Sequence, residues 1–164
     1  MTIPVYVDFD GVLNSFSRDV QRLEARTGFG EWFEVSSRHT DDAGEPYPLM
    51  LSSDRNAAVG RWTSLGASMH WLTTWWEAPA DVVEHTGIDA PFVAPPDGPE
   101  ATGAWKSRCI EARHQADDRF VWIDDDAVPK GFGRAFPNSL ILRPSDRFGL
   151  FARDVEQVVR YLRR

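Results

Sequence analysis

The chain has 164 residues, a length that suits a single domain able to bury most of its apolar surface. Hydrophobic residues make up 42% of it and seven residues are Trp, a composition typical of a folded core and not of a disordered segment. The net charge of −7 argues against extensive polynucleotide binding, because such binding depends on many Lys and Arg side chains.

Cysteine content and hydropathy indicate the cellular setting. Cys109 is the only cysteine, which excludes an internal disulfide and favours a reducing compartment. No apolar stretch approaches the roughly 20 residues that a membrane span needs, and the chain enters an apolar run almost at its first residue. We therefore expect a soluble cytoplasmic protein without a membrane segment.

Short apolar runs alternate with helix-like stretches along the chain. Strands are predicted at residues 3–7, 67–73, 92–94, 120–123 and 140–142. Helices are predicted at residues 17–26, 54–65, 80–85, 105–114 and 151–162, the second of them capped by Ser53 and stopped by Gly66. Residues 28–48, punctuated by Gly and Pro, are a candidate flap with a hairpin. The alternation predicts an α/β fold in one domain, with a mainly parallel sheet and helices on both faces.

Two aspartates follow the first predicted strand directly. Asp8 and Asp10 come after the apolar run at residues 3–7, and Gly11 ends that run in a turn. Residues two apart on an extended chain point the same way, so the two carboxylates repel unless a cation or a proton compensates. An Asp pair can also simply cap a turn or a helix. The pattern favours a site for a metal ion and a nucleophile.

Three later segments carry further candidate residues. Thr73 and Thr74 end the strand at 67–73, and an acidic run at residues 124–126 follows another apolar strand. Lys106 lies near the start of a predicted helix, where its ammonium group and the helix N-terminus both favour an anion. Taken singly, such a Thr is often a turn residue and such a Lys a solvated charge. Because ligands of open α/β sheets bind beyond the carboxyl ends of the strands, we expect these residues to converge on one site.

The order of these residues resembles the haloacid dehalogenase-like (HAD) superfamily. Its motifs are an Asp-x-Asp after the first strand, a Ser or Thr after the second, a Lys and a closing acidic pair, matched here by Asp8 and Asp10, Thr73, Lys106, and Asp124 with Asp125. Four segments also look like the HAD domain of Swiss-Army-knife RNA repair proteins: Asp-Gly-Val-Leu-Asn at 10–14, Trp-Leu-Thr-Thr-Trp at 71–75, Val-Trp-Ile-Asp-Asp at 121–125, and residues 144–150. The likeness runs over nearly the whole chain.

The resemblance implies a Rossmann-like HAD fold and a Mg²⁺-dependent phosphomonoester hydrolase that forms an aspartyl-phosphate. Asp8 would attack phosphorus, and Asp10 would protonate the leaving oxygen and then activate water. Mg²⁺ would be held by Asp8, by Asp10 through its backbone carbonyl and by Asp124, with Asp125 in support.

The resemblance also implies the phosphate-binding groups. Thr73, Thr74 and Lys106 would bind the phosphoryl oxygens. The role of Asp126 stays open between an acid that lies beyond the direct metal ligands and a loop cap.

Substrate choice depends on the region between the first two motifs. Residues 28–48 leave room only for a small flap in place of a full cap domain, so we expect an open site. Trp32, Phe33, Trp75 and Trp76 are candidates for stacking on a base, although Trp is more often a core residue. A nucleotide or a nucleic-acid terminal phosphate is the expected substrate. The alternatives are a phosphatase of small non-nucleotide metabolites and a Mg²⁺- and phosphate-binding module without turnover.

Overall fold

The computed structural model describes residues 2–96 and 103–164, which form six strands and six α-helices. The strands are β1 (Ile3–Val7), β2 (Trp32–Thr40), β3 (Pro46–Ser52), β4 (Ala67–Trp71), β5 (Val121–Ile123) and β6 (Leu140–Leu142). The helices are α1 (Val20–Thr27), α2 (Ser53–Gly60), α3 (Pro79–Thr86), α4 (Ala104–Arg113), α5 (Phe132–Ala135) and α6 (Ala152–Leu162). Two 3₁₀-helices, Arg61–Leu65 and Thr74–Glu77, follow α2 and β4.

Four parallel strands form the central sheet in the spatial order β4-β1-β5-β6. Val5 of β1 pairs with Met69 on one side and with Val121 on the other, so β1 is an inner strand. Its apolar, mostly β-branched sequence suits a strand that is covered on both faces. The prediction of an α/β fold with a parallel sheet is therefore confirmed.

The two faces of the sheet bury different residues. Val5 and Val7 of β1 belong to a core cluster that also contains Val59 of α2 and Val155 of α6. Tyr6, which points to the opposite face, belongs to a second cluster with residues of α4 and α5. Helices therefore cover both faces, as the alternating sequence predicts.

Residues 92–94 do not form a full strand. Phe92 makes a single parallel bridge with Trp71, completed by a hydrogen bond from the Val93 amide to the Trp71 carbonyl oxygen. Pro91 and the two prolines at 95 and 96 lack the N–H groups that would extend the ladder. The predicted strand is consequently reduced to one bridge at the edge of the sheet.

The starts of α1 and α2 differ from the prediction because neighbouring side chains provide the caps, and the other predicted helices begin one residue away from the expected position. α1 begins at Val20, since the Asp19 carboxylate accepts a hydrogen bond from the Arg22 amide. α2 is capped by Ser52 and not by Ser53, because the Ser52 hydroxyl accepts from the Arg55 amide. The predicted continuous helix at 54–65 is divided into α2 and a 3₁₀-helix.

The flap predicted at residues 28–48 is an antiparallel hairpin of β2 and β3. It extends to Ser52, four residues beyond the predicted end. The register shifts between Ser36 and Thr40, which marks a β-bulge.

In the part of the chain that the structure describes, no helix has both the length and the apolarity to cross a membrane.

Candidate functional site

The carboxyl ends of β1, β4 and β5 meet at one edge of the sheet. Asp8 directly follows β1, Thr73 lies two residues beyond β4, and Asp124 directly follows β5. Parallel neighbours bring these ends together, and the Asp8 amide donates to the Ile123 carbonyl oxygen at 2.9 Å. The structure therefore brings together the residues that the sequence places at separate strand ends.

A buried lysine joins two of these carboxylates. The Nζ of Lys106, in the first turn of α4, donates to Asp8 Oδ2 at 2.5 Å and to Asp124 Oδ2 at 2.8 Å. Only 2% of Lys106 is exposed. Burial alone would lower the pKa of Lys106, but the charges of Asp8 and Asp124, and the hydrogen bonds to both, raise it above its ordinary value. The ammonium group therefore stays charged inside the site.

Asp8 is the most perturbed carboxylate of the site. Burial and the nearby charge of Asp124 raise its pKa to about 7, while the Lys106 ammonium and a hydrogen bond from Thr73 act in the opposite direction. The Phe9 amide also donates to Asp8 Oδ1 at 2.7 Å. Because burial disfavours the ionised form of Asp8, a cation bound beside it would stabilise the carboxylate.

Asp125 completes a group of three carboxylates. Asp8, Asp124 and Asp125 each offer an oxygen atom, and these three atoms lie within 4.8 Å of one another. Burial, followed by the charge of Asp124, raises the pKa of Asp125 to about 6. With one ammonium group facing three carboxylates, the cluster has the charge and the oxygen ligands that a hard divalent cation prefers.

Two backbone features hold the acidic cluster in shape. The second oxygen of Asp124, Oδ1, accepts from the amides of Asp126 at 3.1 Å and Ala127 at 2.6 Å. Gly11 has φ +64°, and a Cβ at this position would lie 2.1 Å from an oxygen of Asp125. Only glycine therefore allows Asp125 to approach the turn after β1.

Asp10 lies apart from the three clustered carboxylates. Its Oδ1 accepts from Asn14 Nδ2 at 2.7 Å, and its Oδ2 accepts from Trp75 Nε1 at 2.7 Å. Asn14 in turn accepts from the Met50 amide of β3 at 2.8 Å, which connects the motif to the hairpin. The predicted metal contact of Asp10 through its backbone carbonyl remains a prediction, and its side chain points toward Trp75.

The two threonines take different positions. Thr73 is fully buried, and its hydroxyl accepts from the Trp75 amide at 3.3 Å as well as contacting Asp8. Thr74 is exposed and faces the cavity above the site. Thr73 thus serves the carboxylate cluster, whereas Thr74 is available to a ligand.

A cavity of about 670 Å³ lies over the cluster. The candidate residues that reach it include Asp8, Asp10, Thr74, Lys106 and Asp124 to Asp126. Phe16, Ser145 and Asp146 line it as well. Ser145 and Asp146 belong to the segment at residues 144–150 that resembles the RNA repair proteins, whereas no sequence pattern indicates Phe16, which lies in a loop without periodicity. The exposed Asp126 joins the rim, while its amide caps the loop after β5.

The other aromatic candidates are packing residues. The Trp32 indole N–H donates to the Phe29 carbonyl oxygen at 2.7 Å. The guanidinium carbon of the buried Arg55 lies 4.7 Å from the centroid of the Trp32 ring. Phe33 and Trp76 pack against the two core clusters. Of the four candidates, Trp75 contacts the site through its bond to Asp10.

A comparison with protein-family models finds no matching family, and a comparison with curated proteins finds no match either. Any assignment of function to this chain therefore depends on the chemistry of the site and on the motif resemblance.

Proposed function

We propose that the protein is a Mg²⁺-dependent phosphomonoester hydrolase of the HAD type that acts through an aspartyl-phosphate. The observation that carries this proposal is the buried Lys106 ammonium group shared by Asp8 and Asp124, at the edge of the sheet where three parallel strands end. A fixed cation between two carboxylates, beside an open cavity, suits a reaction in which negative charge develops on phosphoryl oxygens.

Asp8 is the proposed nucleophile. One of its carboxylate oxygens forms a bond to phosphorus while the bond from phosphorus to the leaving oxygen breaks, which divides one difficult step into two easier ones. The hydrogen bonds to Phe9 and Lys106 fix the carboxylate, so little reorientation is needed before attack. Hydrolysis of the acyl phosphate then restores Asp8.

Asp10 is the proposed proton carrier. It gives a proton to the leaving oxygen in the first step and removes one from the attacking water in the second, so its protonation state is restored after each turnover. Bonds from Asn14 and Trp75 hold its side chain apart from the Lys106 cluster. The two aspartates of the motif can therefore play unequal parts.

The acidic cluster fits Mg²⁺. Asp8, Asp124 and Asp125 would hold the ion, and because burial disfavours the ionised forms of Asp8 and Asp125 and raises their pKa values, a bound cation would stabilise both carboxylates. When bound, the ion would neutralise the carboxylates and polarise the phosphoryl oxygens. Lys106, with Thr74 at the cavity surface, would bind the remaining oxygens, while the buried Thr73 holds Asp8 through its hydrogen bond.

The proposed substrate is a nucleotide or a nucleic-acid terminal phosphate, acted on in the cytoplasm. The resemblance to RNA repair proteins supports this class, and the net charge of −7 favours contact with one nucleotide or chain end over contact with a long polynucleotide. The flap is a hairpin and not a domain, which leaves the cavity open to a substrate of this size.

The decisive experiment is a phosphate-release assay with and without Mg²⁺. The substrates are nucleoside 5′- and 3′-monophosphates, sugar phosphates and phosphorylated oligonucleotides, and Asp8→Asn is the inactive control. Asp126→Asn is the matched control, since it removes an exposed carboxylate at the rim. We expect Mg²⁺-dependent release that Asp8→Asn abolishes and Asp126→Asn largely retains.

Two results would contradict the proposal in different ways. Release at the Asp8→Asn level on every substrate would favour a binding module without turnover. Turnover confined to non-nucleotide esters would keep the phosphatase and reject the nucleotide class.

A further inference from the structure

A smaller cavity of about 300 Å³ adjoins the site at Asp10 and Thr74. Both residues line the larger cavity as well, so the two cavities adjoin each other, and together they are called the cleft here. His39, Tyr47 and Trp75 complete the lining of the smaller part. The carboxylate cluster therefore lies at one end of the cleft and an aromatic group, here called the aromatic pocket, lies at the other.

The three rings of the aromatic pocket contact one another although they come from three different segments. His39 of β2 stacks on Tyr47 of β3, with ring centroids 5.6 Å apart and an angle of 18° between the planes. Both rings meet Trp75 edge to face, at 5.5 and 5.8 Å. Contacts of this kind hold each ring in a defined position.

The hairpin is built to fix His39 over Trp75. The β-bulge after Ser36 redirects the strand, as bulges near sites commonly do. The buried Asp81 of α3 accepts from the amides of Arg38 and His39, both at 2.9 Å. The Ser37 hydroxyl, also buried, donates to the His39 carbonyl oxygen and accepts from the Tyr47 amide. These bonds position the rings before any ligand arrives.

The proposed reaction directs a leaving group into this pocket. In-line attack by Asp8 puts the leaving oxygen on the far side of phosphorus, next to the group that protonates it. Asp10 is that group in the proposed function, and it forms the boundary between the two parts of the cleft. What is attached to the leaving oxygen then extends from Asp10 toward His39, Tyr47 and Trp75.

The chemistry of the pocket selects among possible leaving groups. No Lys or Arg lines it among the described residues, so a second phosphate finds no cation there. Three aromatic rings favour either a flat ring or a quaternary ammonium group. Within residues 2–96 and 103–164, the Tyr47 hydroxyl, the His39 ring nitrogens and the exposed Thr74 hydroxyl make no hydrogen bond. Such groups can pair with the polar edge of a heterocycle, whereas a quaternary ammonium group forms no hydrogen bonds.

We infer that the aromatic pocket binds the base of a nucleoside leaving group, with His39 and Tyr47 as specificity-determining residues. This inference rests on the proposed function for the direction of the leaving group. It narrows the substrate class to phosphate esters that carry a heterocycle within reach of Asp10.

The test compares phosphate esters that carry a base with phosphate esters that do not. Wild-type kcat/KM is measured for ribose 5-phosphate, for nucleoside 5′- and 3′-monophosphates and for phosphocholine. Stacking of a base on aromatic side chains contributes roughly 1–3 kcal/mol, so the preferred nucleotide should exceed ribose 5-phosphate by roughly 5- to 150-fold. His39→Ala and Tyr47→Ala should each reduce that ratio, mainly through KM. Tyr47→Phe, which keeps the ring, should reduce it less.

Phe16→Ala is the matched control, because Phe16 is an exposed ring that lines the larger part of the cleft and not the aromatic pocket. It should leave the preference for the base in place. A wild-type ratio near one, a preference lost in Phe16→Ala but kept in His39→Ala, or phosphocholine as the best substrate would each overturn the inference.

A binding measurement separates this inference from the proposed function. The affinities of Asp8→Asn protein for a nucleoside monophosphate and for ribose 5-phosphate are compared by calorimetry in the presence of Mg²⁺. Tighter binding of the nucleotide that His39→Ala removes would support the pocket even if no substrate were hydrolysed. Equal affinities would reject the pocket even if phosphate release were observed.

Discussion

The free energy of unfolding of metal-free Asp8→Asn protein, compared with that of wild type, should increase as the pH rises. Burial raises the pKa of Asp8 to about 7 in the folded protein, whereas a carboxyl group in an unfolded chain has a pKa of about 3.9. Between these values the folded state binds more protons than the unfolded state, so this group's contribution to the free energy of unfolding falls as the pH increases. Asn cannot ionise and does not show this fall.

The size of the effect follows from the same pKa difference. A shift of about three units corresponds to roughly 4 kcal/mol, spread between pH of about 4 and about 7. More than half of this, roughly 2 to 3 kcal/mol, falls between pH 5 and pH 8. Any fixed cost of placing an amide beside Lys106 is the same at both pH values and cancels in the comparison. For a chain of this size, the difference corresponds to roughly 5–10 °C in Tm.

The assay is urea unfolding of wild type and Asp8→Asn in EDTA at pH 5 and pH 8. Asp126→Asn is the control, because it removes an exposed carboxylate from the same edge of the sheet and leaves Asp8 in place. Mg²⁺ should increase the free energy of unfolding of wild type more than that of Asp8→Asn, since the variant binds the ion less well. A difference between wild type and Asp8→Asn that stays constant from pH 5 to pH 8 in EDTA would refute the reasoning.

Substitutions at three further positions test how the site is held in shape. Lys106→Met should reduce the free energy of unfolding by about 3–5 kcal/mol at pH 8, because it leaves two buried carboxylates without their cation, and urea unfolding at pH 5 should show a smaller loss. Gly11→Ala should cost about 1–3 kcal/mol and displace Asp125, which calorimetry should detect as Mg²⁺ affinity at least about tenfold weaker. An unchanged affinity would contradict the place given to Asp125. Asp81→Ala should raise KM for nucleotides about three- to tenfold with little change in kcat, since His39 loses its anchor, and Asp81→Asn should restore most of the affinity.

The sequence predicted the parts of the molecule that depend on local pattern. The strands around Asp8 and Asp124 are continuous apolar runs, and the topology of a parallel sheet then requires their carboxyl ends to meet. The bond from Trp75 to Asp10 and the contact of His39 with Tyr47 could not be predicted in this way. They join residues far apart in the chain, or depend on a bulge, and neither leaves a periodic signal.

Asp10 lies between the carboxylate cluster and the aromatic pocket, the two ends of the cleft. One of its oxygens is bonded to Asn14, which also holds the Met50 amide of the hairpin, and the other is bonded to Trp75, against which His39 packs. A shift of the hairpin would therefore displace Asp10 through two separate contacts, one by way of Asn14 and one by way of Trp75. The short hairpin therefore positions both the aromatic pocket and the proposed proton carrier through the same set of contacts, so a larger cap domain is not needed for this purpose.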